Sequence, residues 1–343
     1  MQKVVVLGST GSLGIQTLEI LKKYPEHFRV IGLSANIQAD LLKKQAKKFK
    51  TKNFLLAAKA RSSAQALVRL ATSREADIII NVLAGTAGIA PTLAALKAGK
   101  TILLGNKESL FAEGKKIMKI IHSQKKFDKT SSLIPLDSEH NAIFEILQKF
   151  PHKKIKKIII PCSGGPFYGK STAALARVTP TQALKHPRYK MGKKISVESA
   201  TLINKGLEII EAHHLFALPL AKIATVFHPE CRIHGAVEFE KTTHTMAYFA
   251  KPDMREHLEN ALRRSAGLPL KNLKIKTLKS AATAKKFLKP LRPGALKGLA
   301  LVLKVFKKSK NSSRKLKNFL LHEEKIIKKF LTKKIKFTEI FKP

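Results

Sequence analysis

The chain has no tryptophan, four tyrosines and only two cysteines, Cys162 and Cys231, in 343 residues. Neither cysteine belongs to a C-x-x-C or to a Cys/His spacing that ligates zinc. A disulfide framework and a structural zinc site are therefore not expected, and a reducing compartment fits. Long apolar runs are also missing, since none approaches the roughly 20 residues needed to span a bilayer. No internal repeat or low-complexity tract interrupts the sequence. The first residues, Gln2-Lys-Val-Val-Val-Leu-Gly8, already read as a strand, which leaves no room for a leader, so a cytoplasmic protein is expected.

Acids are scarce. There are 23 Asp and Glu against 66 Lys and Arg, a formal charge of +43. From Lys271 to Pro343 there are 23 basic residues and 3 acids. A field of that sign invites a nucleic-acid reading. The lysines, however, sit singly or in pairs between apolar positions, as in Lys304-Val-Phe-Lys307-Lys308. That is the pattern of solvated helix faces, and no RNP, zinc-finger or helix-turn-helix pattern accompanies it. Nucleic-acid binding is expected to be at most non-specific.

What the chain does have is carboxylates in one telling place. Ile134-Pro135-Leu136 runs into Asp137-Ser138-Glu139, and Ala142-Ile-Phe144 follows as if opening a helix. Carboxylates at i and i+2 of extended backbone point the same way and can share a hard cation such as Mg²⁺ or Mn²⁺. The same pattern also suits a solvated turn or an N-cap. Two acids leave such an ion short of ligands, and the best third candidate is Glu208, one helical turn from Asn204 with Lys205 beside it.

Val4-Val-Val-Leu7 leads into Gly8-Ser-Thr10-Gly11-Ser12-Leu13-Gly14 and an amphipathic stretch from Ile15 to Lys23. Strand, glycine turn and helix in that order is the context of a dinucleotide fingerprint, here spaced G-x-x-G-x-x-G. Further strands are predicted at Phe28–Leu33, Ala76–Leu83 and Thr101–Leu104, with helices between them. Asn106, Lys107 and Glu108 follow the last of these strands, where ligands of a parallel sheet bind, although Asn-Lys-Glu also suits a helix cap. Lys156–Pro161 is a strand ending in Cys162-Ser163-Gly164-Gly165, which reads as a phosphate-binding nest or a plain turn. Residues 167–192 contain Pro180, His186 and Pro187 and end in Gly192, a composition that suits a lid. The expected fold class is α/β, with a Rossmann-like doubly wound sheet over 1–133 and a second α/β domain over 134–264. A linker is expected over 265–295 and a small helical domain over 296–343.

Taken in order, Gly8–Gly14, Gly105-Asn-Lys-Glu-Ser109, Pro135–Phe144, Ser163–Phe167, His186-Pro, Met191–Ser196, Ser199-Ala-Thr201 and Asn204-Lys-Gly-Leu-Glu208 resemble the 1-deoxy-D-xylulose 5-phosphate reductoisomerase family. The resemblance extends over residues 1 to about 260, and more weakly to Phe337-Thr-Glu-Ile340. It implies conversion of 1-deoxy-D-xylulose 5-phosphate to 2-C-methyl-D-erythritol 4-phosphate with NADPH and Mg²⁺ or Mn²⁺, in the non-mevalonate isoprenoid route, by a homodimer.

By the same resemblance Asp137, Glu139 and Glu208 hold the metal. Ser163, Ser199, Asn204 and Lys205 bind the substrate phosphate, and Ser138 touches a substrate hydroxyl. Lys107, Glu139 and His186 are catalytic, with His186 carried by the lid. Thr10, Gly11, Ser12, Leu13, Asn106, Glu108 and Gly192 bind the cofactor.

Departures from the family pattern are Tyr189 in place of its lid tryptophan, Glu198 in place of an aspartate, and His228-Pro229-Glu230-Cys231 for His-Pro-Gln-Ser. Asn36-Ile37-Gln38 stands where the family selects NADPH with Gly-(Lys/Arg)-Asn, and Leu320-Leu-His-Glu-Glu324 stands for Asn-Ala-Ala-Asn-Glu. The helical domain is shortened. Two other functions fit parts of the pattern: a dehydrogenase of another phosphorylated carbonyl compound, and a catalytically decayed relative kept as a basic binding protein.

Overall fold

Apolar runs with no polar face build the first half of the chain. Val4–Leu7, Ile78–Ile80 and Ile102–Leu104 are all at most 1% exposed, as strands covered on both faces must be. The computed structural model describes residues 1–124, 132–189, 191–242, 244–271, 273–278 and 297–341, with only the backbone at Thr172. These residues form two units. One is Met1–Asp137 with Met254–Asn272, and the other is Ser138–Asp253 with Leu273–Pro343.

In the first unit, β1 (Gln2–Leu7), α1 (Ser12–Leu21), β2 (Phe28–Ala35), α2 (Ala39–Lys48), β3 (Phe54–Leu56), α3 (Ser63–Ala71), β4 (Ile78–Asn81), α4 (Ile89–Lys97), β5 (Thr101–Leu104), α5 (Lys107–Ser123) and β6 (Leu133–Pro135) alternate. All the strand pairings are parallel, in the order β3-β2-β1-β4-β5-β6. The order reverses between β1 and β4, which is where a doubly wound sheet opens a crevice at its carboxyl edge. The expected Rossmann-like sheet is therefore present. Gly8 faces that crevice with φ +89°, and a Cβ there would stand 3.0 Å from the Val82 carbonyl.

In the second unit, α6 (Ser138–Lys149) leads to β7 (Ile155–Cys162). The short helices α7 (Thr172–Leu175) and α8 (Pro180–Ala183) come next, followed by α9 (Lys193–Thr201), α10 (Ile203–Leu215), β8 (Ile223–Phe227), β9 (Ile233–Phe239) and β10 (Thr245–Phe249). The five-stranded sheet runs β11-β10-β9-β7-β8, where β11 is Ile275–Leu278, and only β7 and β8 are parallel. Helix α6 covers this sheet with Ala142, Ile143 and Ile146, packed among Ile158, Val237 and Tyr248. Residues 167–192 were expected as a lid loop, yet they hold α7 and α8. Ser171 caps one, and a Thr179/Gln182 capping box starts the other.

Two boundaries differ from the sequence expectation. Helix α11 (Met254–Ser265) and the residues after it belong to the first unit. There Arg255 pairs with Glu19 at 3.2 Å, while Arg263 and Lys271 donate to the Tyr24 hydroxyl at 3.1 and 3.0 Å. The stretch expected as a linker contains β11, which extends the second sheet, and its remainder over 279–295 lies outside the described residues. The C-terminal part is helical as expected, with α12 (Lys297–Ser309), α13 (Ser313–Leu331) and a closing 3₁₀ turn at Phe337–Phe341. Close approach of α12 needs two glycines. A Cβ on Gly298 would meet the Thr201 carbonyl at 2.1 Å, and one on Gly206 would meet Val302 at 2.7 Å.

Among the described residues no helix is long and apolar enough to cross a membrane.

Candidate active site

In the second unit the Asp-Ser-Glu motif and the Asn204–Glu208 helix meet. Glu139 lies in the first turn of α6 and Glu208 in α10, and their carboxylate oxygens come within 4.8 Å of one another. Lys205 holds the two together. Its buried ammonium donates to Glu139 Oε1 at 2.8 Å and to the Pro161 carbonyl at 2.6 Å, and it forms an ion pair with the Glu208 carboxylate. Burial pushes against the Lys205 charge, but Glu139 and Glu208 outweigh it and hold the group well above the ordinary lysine range. Asn204 donates to Glu208 Oε1 from one turn away, and Ser138 Oγ donates to Glu139 Oε2 at 2.5 Å. Asp137 immediately precedes α6 and closes the first unit, where it accepts from Lys107 Nζ at 2.7 Å.

Two residues absent from the expected set support these acids. His140, next to Glu139 and fully buried, lies with Nε2 2.8 Å from the Glu208 backbone carbonyl and with Nδ1 3.9 Å from Glu211 Oε2. Glu211 follows Glu208 by three positions on α10, which is the only signal of it in the sequence.

The Ser-Gly-Gly turn after β7 uses the left-handed backbone that glycine adopts freely, with Gly164 at φ +84° and Gly165 at φ +66°. Ser163 Oγ accepts from Gly165 N at 3.0 Å and lies 2.9 Å from His186 Nε2. His186 Nδ1 accepts from the amides of Arg188 and Tyr189 at 3.2 and 3.0 Å, so the ring proton belongs on Nε2 and is donated to Ser163. Burial lowers the His186 pKa to about 4, so the ring is neutral around neutral pH. Ser199 on α9 backs the same turn, because a Cβ on Gly165 would stand 2.9 Å from its carbonyl oxygen. Gly192 caps the start of α9 with open space beside it.

Cys162 directly precedes Ser163, and Cys231 lies in the turn before β9. Burial pushes their thiols up to about 11 and about 12 respectively.

In the first unit the glycine turn between β1 and α1 exposes Gly11 and Ser12, half-buries Leu13 and buries Thr10. The turn has the cradle that a pyrophosphate needs. A Cβ on Gly14 would strike the Gly8 carbonyl at 2.2 Å, so only glycine lets the helix start that close to the strand. Asn106 and Glu108, expected beside the nicotinamide, are buried and engaged at the α5 N-terminus. Asn106 caps α5 through Ser109 N and donates to the Leu83 and Gly85 carbonyls at 2.9 and 2.8 Å, while Glu108 accepts from Gly85 N at 2.8 Å. The capping alternative left open by the sequence thus holds for Asn106. The pair fixes the loop after β4, at the carboxyl edge of the sheet.

Comparison with known proteins bears on this geometry. The family model for 1-deoxy-D-xylulose 5-phosphate reductoisomerase matches residues 4–64 and 56–114, and the model for its C-terminal domain matches 133–216. The reductoisomerase of Thermodesulfovibrio yellowstonii is 40% identical over 287 residues, 78% of this chain and 73% of that one. That of Thermomicrobium roseum is 42% identical over 271 residues, 76% of this chain and 69% of that one. The solved Zymomonas mobilis enzyme, in complex with NADPH, is 34% identical with a TM-score of 0.80, over 99% of this chain and 89% of that one. A reductoisomerase solved with NADPH, fosmidomycin and magnesium is 30% identical with a TM-score of 0.81, over 99% and 87%.

Proposed function

Since the chain belongs to the 1-deoxy-D-xylulose 5-phosphate reductoisomerase family, we infer that it converts 1-deoxy-D-xylulose 5-phosphate to 2-C-methyl-D-erythritol 4-phosphate. It does so with NADPH and a divalent metal ion. The observation that carries the reading at residue level is the meeting of Glu139 and Glu208 in the unit that also contains the Ser163–Gly165 nest. Their all-oxygen donor set, completed by Asp137 two residues before Glu139, suits Mg²⁺ and accepts Mn²⁺. The glycine turn from Gly8 to Gly14 has the cradle for NADPH, with Thr10, Gly11, Ser12 and Leu13 lining it and Gly192, Asn106 and Glu108 completing the cofactor set. When bound, the ion supplies Lewis-acid polarisation to neighbouring substrate oxygens and NADPH supplies the hydride.

The protein's own groups bind and orient. Ser163 already accepts from Gly165 N and His186, so its own proton is available to an anion, and the substrate phosphate takes it. Ser199, Asn204 and Lys205 complete the phosphate set, and Lys205 exchanges one carboxylate contact for the substrate. Ser138 turns from Glu139 to a substrate hydroxyl. Lys107, oriented by Asp137, donates to a substrate oxygen. His186 rides on the 167–192 segment, which closes over the substrate and excludes water from the carbonyl that is reduced. The first unit serves as the cofactor domain, and the second, which includes the C-terminal helices, as the catalytic one. The enzyme works in the cytoplasm as a homodimer. Two free cysteines fit a reducing compartment, and the dimer is what the family suggests.

The test is NADPH oxidation, followed by absorbance, on adding 1-deoxy-D-xylulose 5-phosphate with and without Mg²⁺. Oxidation that needs both substrate and metal is expected. No oxidation under any metal condition would favour the decayed, basic binding protein.

A further inference from the structure

Behind the phosphate-binding face lies a charged cluster that no step above uses. Lys194 and Glu198 are one turn apart on α9 and form an ion pair, and Glu323 on α13 reaches the same ammonium at 3.2 Å. Glu198 and Glu323 are 3% and 4% exposed. Glu323 also borders an apolar cavity of about 260 Å³ formed with Ile203, Leu301, Val305, Phe319 and Ile340. At this point α10, α12 and the closing 3₁₀ turn present apolar side chains. Among the described residues, the titratable groups facing Glu323 are Lys194 and Glu198 from α9, with His322 of its own helix at the cavity.

One ammonium shared by two buried carboxylates leaves their charge imperfectly balanced. Burial and then Glu198 push the Glu323 carboxyl well above the usual carboxylate range, with Lys194 pulling the other way. A proton on Glu323 relieves the repulsion between the two carboxylates, so the cluster favours the protonated form more than an exposed glutamate does. The consequence falls on α9. Glu198 is bonded to Ser199, whose carbonyl backs Gly165 of the nest. The helix ends at Leu202, in left-handed backbone at φ +58°, and opens directly into α10 with Asn204, Lys205 and Glu208.

We propose that Glu323 is a positioning residue: through Lys194 and Glu198 it clamps α13 to α9 and sets the seat of Ser199 for the substrate phosphate. The clamp rests on the assignment of Ser199 given above, and it adds a pH-dependent control of substrate affinity that the phosphate ligands do not contain. A raised folded-state value means that the clamp is fully made below the ordinary carboxylate pKa. It is lost as pH rises through the raised value, so the enzyme loses affinity for the phosphorylated substrate on the alkaline side.

The test uses the full chain over about pH 4 to 9, starting below the ordinary glutamate value. It follows two quantities: amide hydrogen exchange of residues 193–201, corrected for the intrinsic pH dependence, and KM for 1-deoxy-D-xylulose 5-phosphate. In the unmodified protein, opening of α9 should increase by up to about tenfold per pH unit across the window, because opening releases one proton. KM should rise with it while kcat holds. Glu323→Gln keeps a neutral donor in place and should flatten both curves. Lys194→Met removes the ammonium that links the two helices and should raise both the exchange of residues 193–201 and KM throughout the window. Identical pH curves for the unmodified protein and Glu323→Gln overturn the clamp. If Ser199→Ala leaves KM unchanged while exchange still follows Glu323, the clamp stands and the phosphate assignment of Ser199 falls.

Discussion

Lys205 donates to Glu139 and to the Pro161 carbonyl and pairs with Glu208, so the two acids proposed for the metal are held side by side before any ligand arrives. Charge balance at that point controls what a single substitution does. Glu208→Gln preserves shape and leaves Lys205 with Glu139, so the fold should survive. Metal-dependent turnover should fall by more than about 100-fold, beyond the loss typical of a supporting contact. NADPH affinity, measured by fluorescence titration, should be unchanged, because the glycine turn lies in the other unit. Full activity would remove Glu208 from the metal shell. His186 gives a second residue-scale expectation. Its folded-state pKa lies below the ordinary histidine value, so the stability it contributes is present above about pH 6.5 and is lost as pH falls towards about 4. The thermal midpoint of the unmodified protein should exceed that of His186→Gln near neutral pH, and the gap should close across that window. A gap that widens in acid would contradict the neutral Nε2–H tautomer. Of these residues, Asp137, Glu139 and Glu208 were legible as types and spacings, since hard cations need clustered carboxylates. Nothing in the spacing reveals that Lys205 spends its donors on Glu139, 66 positions away, because side-chain partners across elements are chosen by packing.

Helices α9 and α10 meet at a tight joint, and α12 lies against it because Gly298 has no side chain. Gly298→Ala forces a Cβ to within 2.1 Å of the Thr201 carbonyl unless the helix moves. The expected cost is about 1–3 kcal/mol, the usual range for overpacking. A fall in urea midpoint should accompany a rise in substrate KM, since α9 and α10 carry Ser199 and Asn204. An unchanged midpoint would mean that α12 does not bear on the joint. Strands β1, β2, β4, β5 and β7, and helices α1, α4 and α10, were legible from periodicity and glycine punctuation. Helices α7 and α8 were read as loop because each has only four residues, too few to show a period, although their Ser171 and Thr179 caps were in plain sight. Strand β11 was missed for a related reason. Four residues alternating weakly within a basic stretch become a strand only when β10 offers an edge.

For the whole molecule the formal charge of +43 makes a distinct prediction. Binding to a labelled duplex, followed by anisotropy, should be independent of sequence. It should weaken by about 10³-fold or more between 50 and 200 mM salt, as counterion release requires. Affinity that persists at high salt, or that selects a sequence, would point to a nucleic-acid function apart from the enzymatic one. The sequence by itself determined that the chain is α/β and that a parallel sheet with a glycine turn comes first, and it singled out the acids and serines proposed for the chemistry. It could do so because side-chain polarity, hydrophobic period and backbone permissiveness are local properties. Only the tertiary structure decided that Met254–Asn272 returns to the first unit and that Asn106 and Glu108 spend their polar atoms on a loop. The same holds for the two carboxylates that Lys205 bridges and for the contact of Glu323 with Lys194. Those outcomes depend on which surfaces exclude water from one another, and that is fixed by how distant elements pack.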